Sequence, residues 1–460
     1  MIDGLKPYAE YKESNIPWMP SMPLGWNTER AKWLFTKMNR PVRSDDEVVT
    51  CFRDGMVTLR KNRRLRGFTE AVVEAGYQGI RKGDLVIHAM DAFAGAVGVS
   101  DSDGKGTPVY SVCQAKREAN SHYYALAVRQ MAQAQWILAI AKGIRERSTD
   151  FRFETFGNQR VPLPPPDEQV AIVRFLEHAN RKIDGFIRAK RKLIGLLNEQ
   201  KQAIIHRAVT RGLNPDAPLK PSGIPWLGDI PEHWEVRQLR RVCKRIKTGG
   251  TPKEVDEKFF EAGGFNWHTP SDFRDAIELG AASRQLSKLG LAEVTVFPAN
   301  TILMIGIGAT IGKVSISRLP CSCNQQINAI LPKQKLIHVD FLAYYLRTLR
   351  KYIVDCGKFT TMPIINQDET KRLPILIPPN FEQEKIASYV EQASKPFNAA
   401  IVRTKREITL MHEYQTRLTV DVVTGKLDVR AAAAKLPGIL LATDPTDDDT
   451  MEEPEAEDAK

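Results

Sequence analysis

The chain has 460 residues, of which 42% are hydrophobic and 26% charged, a composition typical of globular proteins. Its length allows about two to four domains. The longest apolar run, around residues 302–312, is shorter than the ~18 residues that a membrane helix needs. The N-terminus carries charges throughout, unlike a signal peptide. These features exclude the membrane and secreted classes and predict a cytoplasmic protein.

The positive charge is spread unevenly. The net charge at pH 7 is +11, but residues 444–460 contain nine acids and one base and contribute −8, which leaves +19 for the other 443 residues. A folded body of this charge favours a polyanionic partner, with nucleic acid the commonest kind. The alternative is a surface that is kept soluble by its charge and has no such partner.

The first feature along the chain is a repeated segment. Residues 12–26 and 220–234 match at an offset of 208, including two tryptophan pairs, Trp18/Trp226 and Trp26/Trp234. Because tryptophan is rare, two matched pairs indicate an internal duplication rather than chance.

A second match, at an offset of 214, joins residues 164–180 to 378–394 and continues to residues 208–213 and 422–427. The chain therefore reads as A–B–A–B, with a net difference of six residues inside the A segments. The predicted boundaries are 1–165 and 214–378 for the A segments, 166–213 and 379–430 for the B segments, and 431–460 for a tail. The tail opens with an alanine run and becomes acidic, which predicts disorder.

The A segments have the pattern of mixed α/β domains. Residues 83–100 and 300–317 are apolar, β-branched and interrupted by glycine, which predicts paired strands with tight turns. Residues 123–144 and 341–353 are predicted to form short helices.

The B segments are predicted to be long helices that begin after the prolines at 164–166 and 378–379. Their apolar residues recur at steps of four and three, the 3.5-residue period of a coiled coil. Two helices of matching pattern most simply pack against each other, although two independent partner-binding helices remain possible. Pro396 predicts a kink or break in the second helix. The predicted seam residues are Ile172, Leu176, Ile183, Phe186, Leu193, Leu197, Ile204, Ile386, Val390, Phe397, Met411 and Leu418.

Residues 304–315, MIGIGATIGKVS, are rich in glycine and could suggest a nucleotide site. The stretch does not match a phosphate-binding loop, because Gly308 and Gly312 are one residue too close together. In addition, Val314 stands where the motif needs Ser or Thr to hold magnesium. The stretch does not match a Rossmann loop either, because such a loop opens a helix, whereas the sequence after Gly312 is strand-like. The pattern favours a β-hairpin.

No other catalytic or metal motif is evident in the sequence. The six cysteines are scattered, and the lone pair Cys321 and Cys323 has no second pair, which indicates reduced core thiols rather than a metal site. NPDAP at residues 214–218 lacks the second proline and the aromatic residue of an amino-methyltransferase motif.

Each A segment contains a basic cluster, at residues 60–66 and 240–247, and the second cluster has helical spacing and leads into TGGTPK at 248–253. Lys and Arg in such clusters neutralise phosphates, while Asn, Gln and Arg also read base edges. An ordinary solvated face is the alternative. The candidate DNA-binding residues are Arg60, Lys61, Asn62, Arg63, Arg64, Arg66, Lys247, Thr248, Lys253, Ser271, Lys313, Asn324 and Gln325.

Taken together, these motifs resemble the DNA-specificity subunit of a type I restriction–modification system. IPWLGDIPEHWEVRQL and TGGTP open the second A segment, LPPPDEQVAIVRFL and IPPNFEQEKIASYV open the B segments, and AVTRGL and VVTGKL close them. GDLVI with TPVYSV fits the first A segment, and TIGKVSI with NQQINAI fits the second. The resemblance covers residues 12–430. TRGL departs from the usual TGK-like ending, and the acidic tail is additional to the family pattern.

The resemblance implies an α+β fold. Two mixed α/β target-recognition domains would be separated by two long antiparallel coiled-coil helices, with an internal pseudo-twofold repeat. It implies a non-catalytic subunit that reads a bipartite target in double-stranded DNA and docks two modification subunits, which methylate adenine, through its helices. Restriction subunits with motor and nuclease activity would join them. No cofactor is expected in this chain; S-adenosylmethionine, ATP and magnesium are expected on the partner subunits.

Two other functions remain open from the residues alone. A coiled-coil scaffold could bind proteins through its helices and carry its basic clusters incidentally. A stand-alone nuclease or methyltransferase is disfavoured by the missing motifs. Co-purification of two methyltransferase copies would distinguish the specificity subunit from the scaffold.

Overall fold

Two units make up the chain, and each combines distant parts of the sequence. The computed structural model describes residues 5–63, 75–116, 118–141, 150–253, 257–274, 276–356 and 363–437. Residues 1–188 and 408–460 form unit 1, and residues 189–407 form unit 2. Each long helix therefore contributes one half to each unit.

The elements up to the end of the first long helix are the following. The strands are β1 (Tyr11–Ile16), β2 (Met19–Pro23), β3 (Asn27–Arg30), β4 (Phe35–Lys37), β5 (Val49–Cys51), β6 (Val57–Leu59), β7 (Gln78–Ile80), β8 (Leu85–His88), β9 (Val97–Val99), β10 (Gly104–Gly106), β11 (Tyr110–Ala115) and β12 (Arg160–Leu163). The helices are α1 (Ala31–Leu34), α2 (Ser121–Gln133), α3 (Trp136–Ile140), α4 (Phe153–Gly157) and α5 (Pro166–Arg211).

The remaining elements repeat this organisation. The strands are β13 (Leu219–Pro221), β14 (Asp229–Pro231), β15 (Glu235–Gln238), β16 (Cys243–Thr248), β17 (Phe260–His268), β18 (Arg284–Leu286), β19 (Thr301–Ile305), β20 (Val314–Ser317), β21 (Ser322–Cys323), β22 (Ile327–Pro332) and β23 (Pro374–Ile377). The helices are α6 (Leu239–Val242), α7 (Lys288–Glu293), α8 (Val339–Thr348), α9 (Arg350–Cys356), α10 (Gln367–Arg372), α11 (Asn380–Val423) and α12 (Arg430–Ala434). Among the described residues, no helix has the length and apolarity needed to cross a membrane.

The same four-stranded antiparallel sheet lies at the centre of each unit. Its strand order is β4-β11-β8-β9 in unit 1 and β16-β22-β19-β20 in unit 2. Cys113 lies opposite Leu85 in the first sheet, and Ile330 lies opposite Ile302 in the second. The duplicated pattern of the sequence is therefore a duplicated fold, and the predicted α+β class is confirmed.

Both predicted hairpins are present. Strands β8 and β9 pair within residues 83–100, and strands β19 and β20 pair within residues 300–317. The glycine-rich stretch is thus a turn, in which Gly308 and Gly312 have φ of +90° and +76°. The helices predicted near residues 123 and 341 are each divided into two, α2 with α3 and α8 with α9, and residues 142–144 lie outside the described part.

A buried tryptophan joins each A segment to the start of a long helix. In unit 1, Trp26 Nε1 donates to Glu168 Oε1 at 3.0 Å, and in unit 2, Trp234 Nε1 donates to Glu382 Oε2 at 2.9 Å. The tryptophans are separated by 208 residues and the glutamates by 214, yet the equivalent atoms meet. The six-residue difference is therefore absorbed within the A segments without changing this contact.

Each long helix ends at a left-handed glycine that packs against one of these tryptophans. Gly212 has φ +75°, and a Cβ there would lie 3.2 Å from the ring of Trp234. Gly425 has φ +72°, and a Cβ there would lie 3.0 Å from the ring of Trp26. The sequence offset pairs Gly425 with Arg211 instead, so the TRGL departure moves the glycine by one residue. At this offset α5 ends two residues later than α11, and it keeps a glycine at its C-terminal end.

The two long helices run antiparallel where they pack in unit 2. Lys190 Nζ lies 2.8 Å from Glu407 Oε2, and Lys201 Nζ lies 3.1 Å from Asn398 Oδ1. As the residue number rises in one helix, it falls in the other. The Lys190 and Arg403 side chains hydrogen-bond to the carboxylate of Glu407 and lower its pKa.

The predicted seam is wrong at two positions of α5. Phe186 and Leu193 are 59% and 40% exposed, whereas Ile187 is 3% exposed. Along this face of α5 the less exposed positions are 172, 176, 179, 183, 187, 190 and 194, which are separated by steps of 4, 3, 4, 4, 3 and 4. This eleven-residue repeat gives ~3.67 residues per turn, which suits a nearly straight helix better than a heptad does. The other predicted positions are buried or half-buried: Ile172, Leu176, Ile183, Leu197, Ile204, Ile386, Val390, Phe397, Met411 and Leu418.

Two predictions about the second half of the chain need correction. Helix α11 continues through Pro396, so the predicted break is absent, while the predicted kink stays a prediction. The start of the alanine run, expected to be disordered, forms α12, and Ala433 in it is 3% exposed. Residues 438–460 lie outside the described part.

Candidate nucleic-acid interface

Three loops of unit 2 meet beside the TGGTPK segment. The backbone N–H of Gly250 donates to Cys323 O at 2.9 Å, Asn324 N donates to His268 O at 3.0 Å, and Trp267 Nε1 donates to Gly250 O at 3.0 Å. A Cβ on Gly249 would lie 2.2 Å from Cys323 O, so only glycine allows this close approach. The loops therefore hold one another in fixed positions.

Several predicted DNA-binding residues lie on these loops. Ser271 and Gln325 are exposed, and the hydroxyl of Thr251 donates to the Gln325 side-chain oxygen. Lys253, two residues further along the chain, is also exposed. Exposed hydroxyl, amide and ammonium groups on a fixed backbone have the chemistry that binds phosphates and base edges.

Other predicted residues have internal roles. Thr248 Oγ1 donates to Asn328 Oδ1 at 2.8 Å, and Asn328, 2% exposed, in turn donates to Thr370 Oγ1 at 3.0 Å. Asn324 is 8% exposed and donates to Gln326 Oε1. The hydroxyl of Thr248 and the amide of Asn324 thus hold the loops together. The half-buried Lys313 lies in the β19–β20 hairpin, where its backbone carbonyl accepts from Ile305 N at 2.9 Å and its N–H donates to Thr310 O at 3.2 Å.

The second basic cluster lies mainly on a strand, not on the expected helix. Only residues 239–242 are helical, and β16 follows because its residues pair with β22. Pairing with a neighbouring strand overrides the local helical spacing. The cluster and α10 form one basic concavity, lined among others by Arg240, Lys244, Arg245, Lys247 and Lys371. Lys247 also donates to Thr295 Oγ1 at 2.6 Å.

The first basic cluster is partly neutralised by nearby acids. Lys61 lies 2.5 Å from a carboxylate oxygen of Glu47, and Arg63 lies 2.6 Å from one of Asp54. These pairs are exposed, and such pairs typically contribute ~0–1 kcal/mol, so a DNA phosphate can replace the carboxylate. Arg60 Nε donates to Thr50 Oγ1 at 3.4 Å, and Asn62 Nδ2 donates to Thr58 Oγ1 at 2.9 Å. Arg64 and Arg66 lie outside the described residues.

The titratable residues of the unit 2 loops stabilise the loops. Burial lowers the pKa of His268, and its Nδ1, which lies 3.9 Å from Asp272 Oδ2, has no hydrogen-bond partner within the described residues. Burial opposes ionisation of Asp272, but backbone N–H groups of Thr269 and Ser283 donate to its carboxylate and lower its pKa. Burial raises the pKa of Cys321 to about 11. Within the described ranges, no group of three or more potential ligands could hold a metal.

Sequence reasoning missed Arg284, Asn328 and Trp267, which the structure brings to the same region. In the sequence Arg284 lies outside both basic clusters, and it becomes notable through its stacking on two rings in the folded unit. Asn328 was visible within NQQINAI, but its pairing with Thr248 spans 80 residues. Side-chain contacts over such distances leave no local signal.

Two copies of one α/β fold, each joined to halves of the long helices and carrying a basic cluster, define a duplicated α/β protein with two basic surfaces. Residues 231–410 match the family model described as the type I restriction modification DNA specificity domain. The chain is 29% identical over 169 residues to the type I restriction enzyme MjaIX specificity subunit of Methanocaldococcus jannaschii, covering 35% of this chain and 38% of that protein. It is 23% identical over 317 residues to the putative MjaX specificity subunit of the same organism, covering 68% and 70%.

The fold is also similar to a solved structure. A chain from a study of complex assembly and conformational transition in the type I R-M system gives a TM-score of 0.63 at 17% identity, covering 87% of this chain and 98% of that one. At this identity the likeness concerns the fold alone. The family-model match and these relatives make the chain similar to specificity subunits of type I restriction–modification systems.

Removing charges from the two clusters should weaken DNA binding and its dependence on salt. We expect Arg63→Ala with Arg64→Ala, and separately Lys247→Ala with Lys253→Ala, to reduce the slope of log K against log salt by about one for each phosphate that is no longer neutralised. The measurement is binding of the assembled complex to duplex DNA from about 50 to 200 mM salt, where electrostatic binding weakens steeply.

The control for this experiment is Lys335→Ala with Lys395→Ala, which removes two exposed charges outside both clusters. Its salt slope should equal that of the wild type. Unchanged binding in both cluster variants would mean that the clusters are ordinary solvated surface.

Proposed function

We propose that this protein is the sequence-specific DNA-binding subunit of a type I restriction–modification complex, with each unit reading one half of a bipartite target. The observation that carries the proposal is the duplication itself: each unit has the same sheet and the same tryptophan–glutamate contact, together with a basic cluster of its own. Two similar binding domains in one chain suit two DNA half-sites better than they suit a single ligand.

The long helices have two roles in this proposal. They set the distance between the half-sites, and they dock two modification subunits that carry S-adenosylmethionine and methylate adenine. Restriction subunits, with ATP and magnesium, complete the complex in the cytoplasm. In this division of labour the chain supplies recognition, and its own side chains perform no covalent chemistry.

The purified chain alone should have no methyltransferase, ATPase or nuclease activity. The reason is that its glycine-rich stretch is a β-hairpin, and that His268 and the five cysteines whose burial the structure describes are buried. The measurement is transfer of radiolabelled methyl groups to DNA by the chain with and without its methyltransferase subunit. Methyl transfer by the chain alone would contradict the proposal, as would failure to bind a methyltransferase subunit.

A further inference from the structure

We propose that Arg284 reads a guanine in the half-site bound by unit 2, an inference that rests on the proposed function. Arg284 lies at the start of β18, directly opposite Trp267 of β17. Its guanidinium carbon is 3.8 Å from the ring centroid of Phe260 and 5.5 Å from that of Trp267. The residue is exposed, so its guanidinium is accessible from solvent.

The two rings hold the guanidinium in a defined orientation. Their centroids are 5.6 Å apart, and Trp267 is 3% exposed, so its ring is itself held firmly. The hydrogen bond from Trp267 Nε1 to Gly250 O connects this stack to the TGGTPK segment. Stacking restrains the plane of the guanidinium while its N–H groups stay available at the edge. Such preorganisation lowers the entropic cost of binding.

Other arginines with similar surroundings are engaged by acids. Arg63 also lies over a ring, 4.5 Å from the centroid of Phe52, but it pairs with Asp54. Arg430 likewise lies over a ring, 5.2 Å from the centroid of Tyr8, and pairs with Asp428. Within the described part of the chain, the Arg284 guanidinium stacks on aromatic rings, which leave its donors for a ligand.

The amides beside Arg284 are already used within the hairpin. Gln285 Oε1 accepts from Gly263 N at 2.7 Å, and Asn266 Oδ1 accepts from Ala282 N at 3.1 Å. Arg284, by contrast, is exposed, and its guanidinium lies over aromatic rings rather than beside these amides. A planar fork of N–H donors matches O6 and N7 of guanine in the major groove, the commonest specific contact of arginine with DNA.

The test compares Arg284→Lys and Arg284→Ala with the wild type in the complex of the full chain and its methyltransferase subunits. Methylated sites are mapped on genomic DNA at single-base resolution. We expect both variants to lose discrimination roughly tenfold to a hundredfold at one G·C position of one half-site. The other half-site and the gap should not change. Arg237→Lys, at another exposed arginine of unit 2, is the matched control and should keep the wild-type target.

The lysine variant separates the two ways in which an arginine can contact DNA. Lysine keeps the charge but lacks the planar fork, so a phosphate contact would survive and a guanine contact would not. Variants that keep the full target sequence, or that lower methylation equally at all sequences, would overturn the proposal for Arg284. A wild-type complex without any bipartite target would instead overturn the proposed function. Equal thermal unfolding midpoints for Arg284→Lys and the wild type will exclude a folding defect.

Discussion

Four residues inserted into both long helices at facing positions, after Leu197 and after Ile401, should widen the gap between the half-sites by about two base pairs. Four residues add about 6 Å to a helix, and base pairs are spaced by about 3.4 Å. The positions face each other because Lys190 contacts Glu407 and Lys201 contacts Asn398 on either side of them. Methylated sites mapped on genomic DNA will show the new gap.

An insertion of two residues at the same places is the control for helix phase. It rotates the following residues by about 200°, so that buried positions turn outward, whereas four residues rotate them by about 40° beyond a full turn. We therefore expect the two-residue variant to lose most of its activity and the four-residue variant to keep both half-site sequences. If four residues changed the half-site sequences but left the gap unaltered, the helices would not determine the spacing.

Trp234→Ala should destabilise unit 2 by about 3–5 kcal/mol, the usual cost of truncating a large buried aromatic side chain. The ring is 0% exposed, packs near Gly212, and donates to Glu382 at 2.9 Å. Its removal leaves a cavity and eliminates a hydrogen bond to a carboxylate at the start of α11. The measurement is the free energy of unfolding in urea, followed by circular dichroism.

The same substitution at an exposed tryptophan provides the control. Trp33 is 62% exposed, and its replacement with alanine should change the free energy of unfolding by at most ~0.5 kcal/mol. Trp26→Ala should repeat the large effect in unit 1, since Trp26 is 1% exposed and contacts Glu168 in the same way. Equal effects at Trp33 and Trp234 would contradict the packing described for unit 2.

The α5 helix illustrates how far a pattern in the sequence reaches. Its start after the prolines and its amphipathic character follow from local chemistry, and both agree with the structure. Local chemistry does not determine whether Phe186 or Ile187 is buried, because the two residues are adjacent and both are apolar. The choice depends on the twist of the helix relative to its partner, which a heptad template misplaces by one residue.

The basic clusters also have some properties that are visible in the sequence and others that depend on the fold. Their charge and their presence in both A segments were visible in the sequence. Whether a given cation is free depends on acids that lie elsewhere, such as Glu47 for Lys61 and Asp54 for Arg63. The strand conformation of residues 243–248 likewise depends on β22, about 80 residues away.

Residue patterns alone were enough to predict the two hairpins and the two long helices, since each depends on residues close together in the chain. They also established the duplication, because matching a segment to its copy requires no contact between the two. Folding in three dimensions was needed to establish which helix halves share a unit, which positions form the seam and which polar groups remain available to DNA. Those properties arise from contacts such as Tyr123 with Val423, 300 residues apart. The stacking of Arg284 on Phe260 and Trp267 belongs to the second group, because the strands that carry these residues become neighbours only when unit 2 folds.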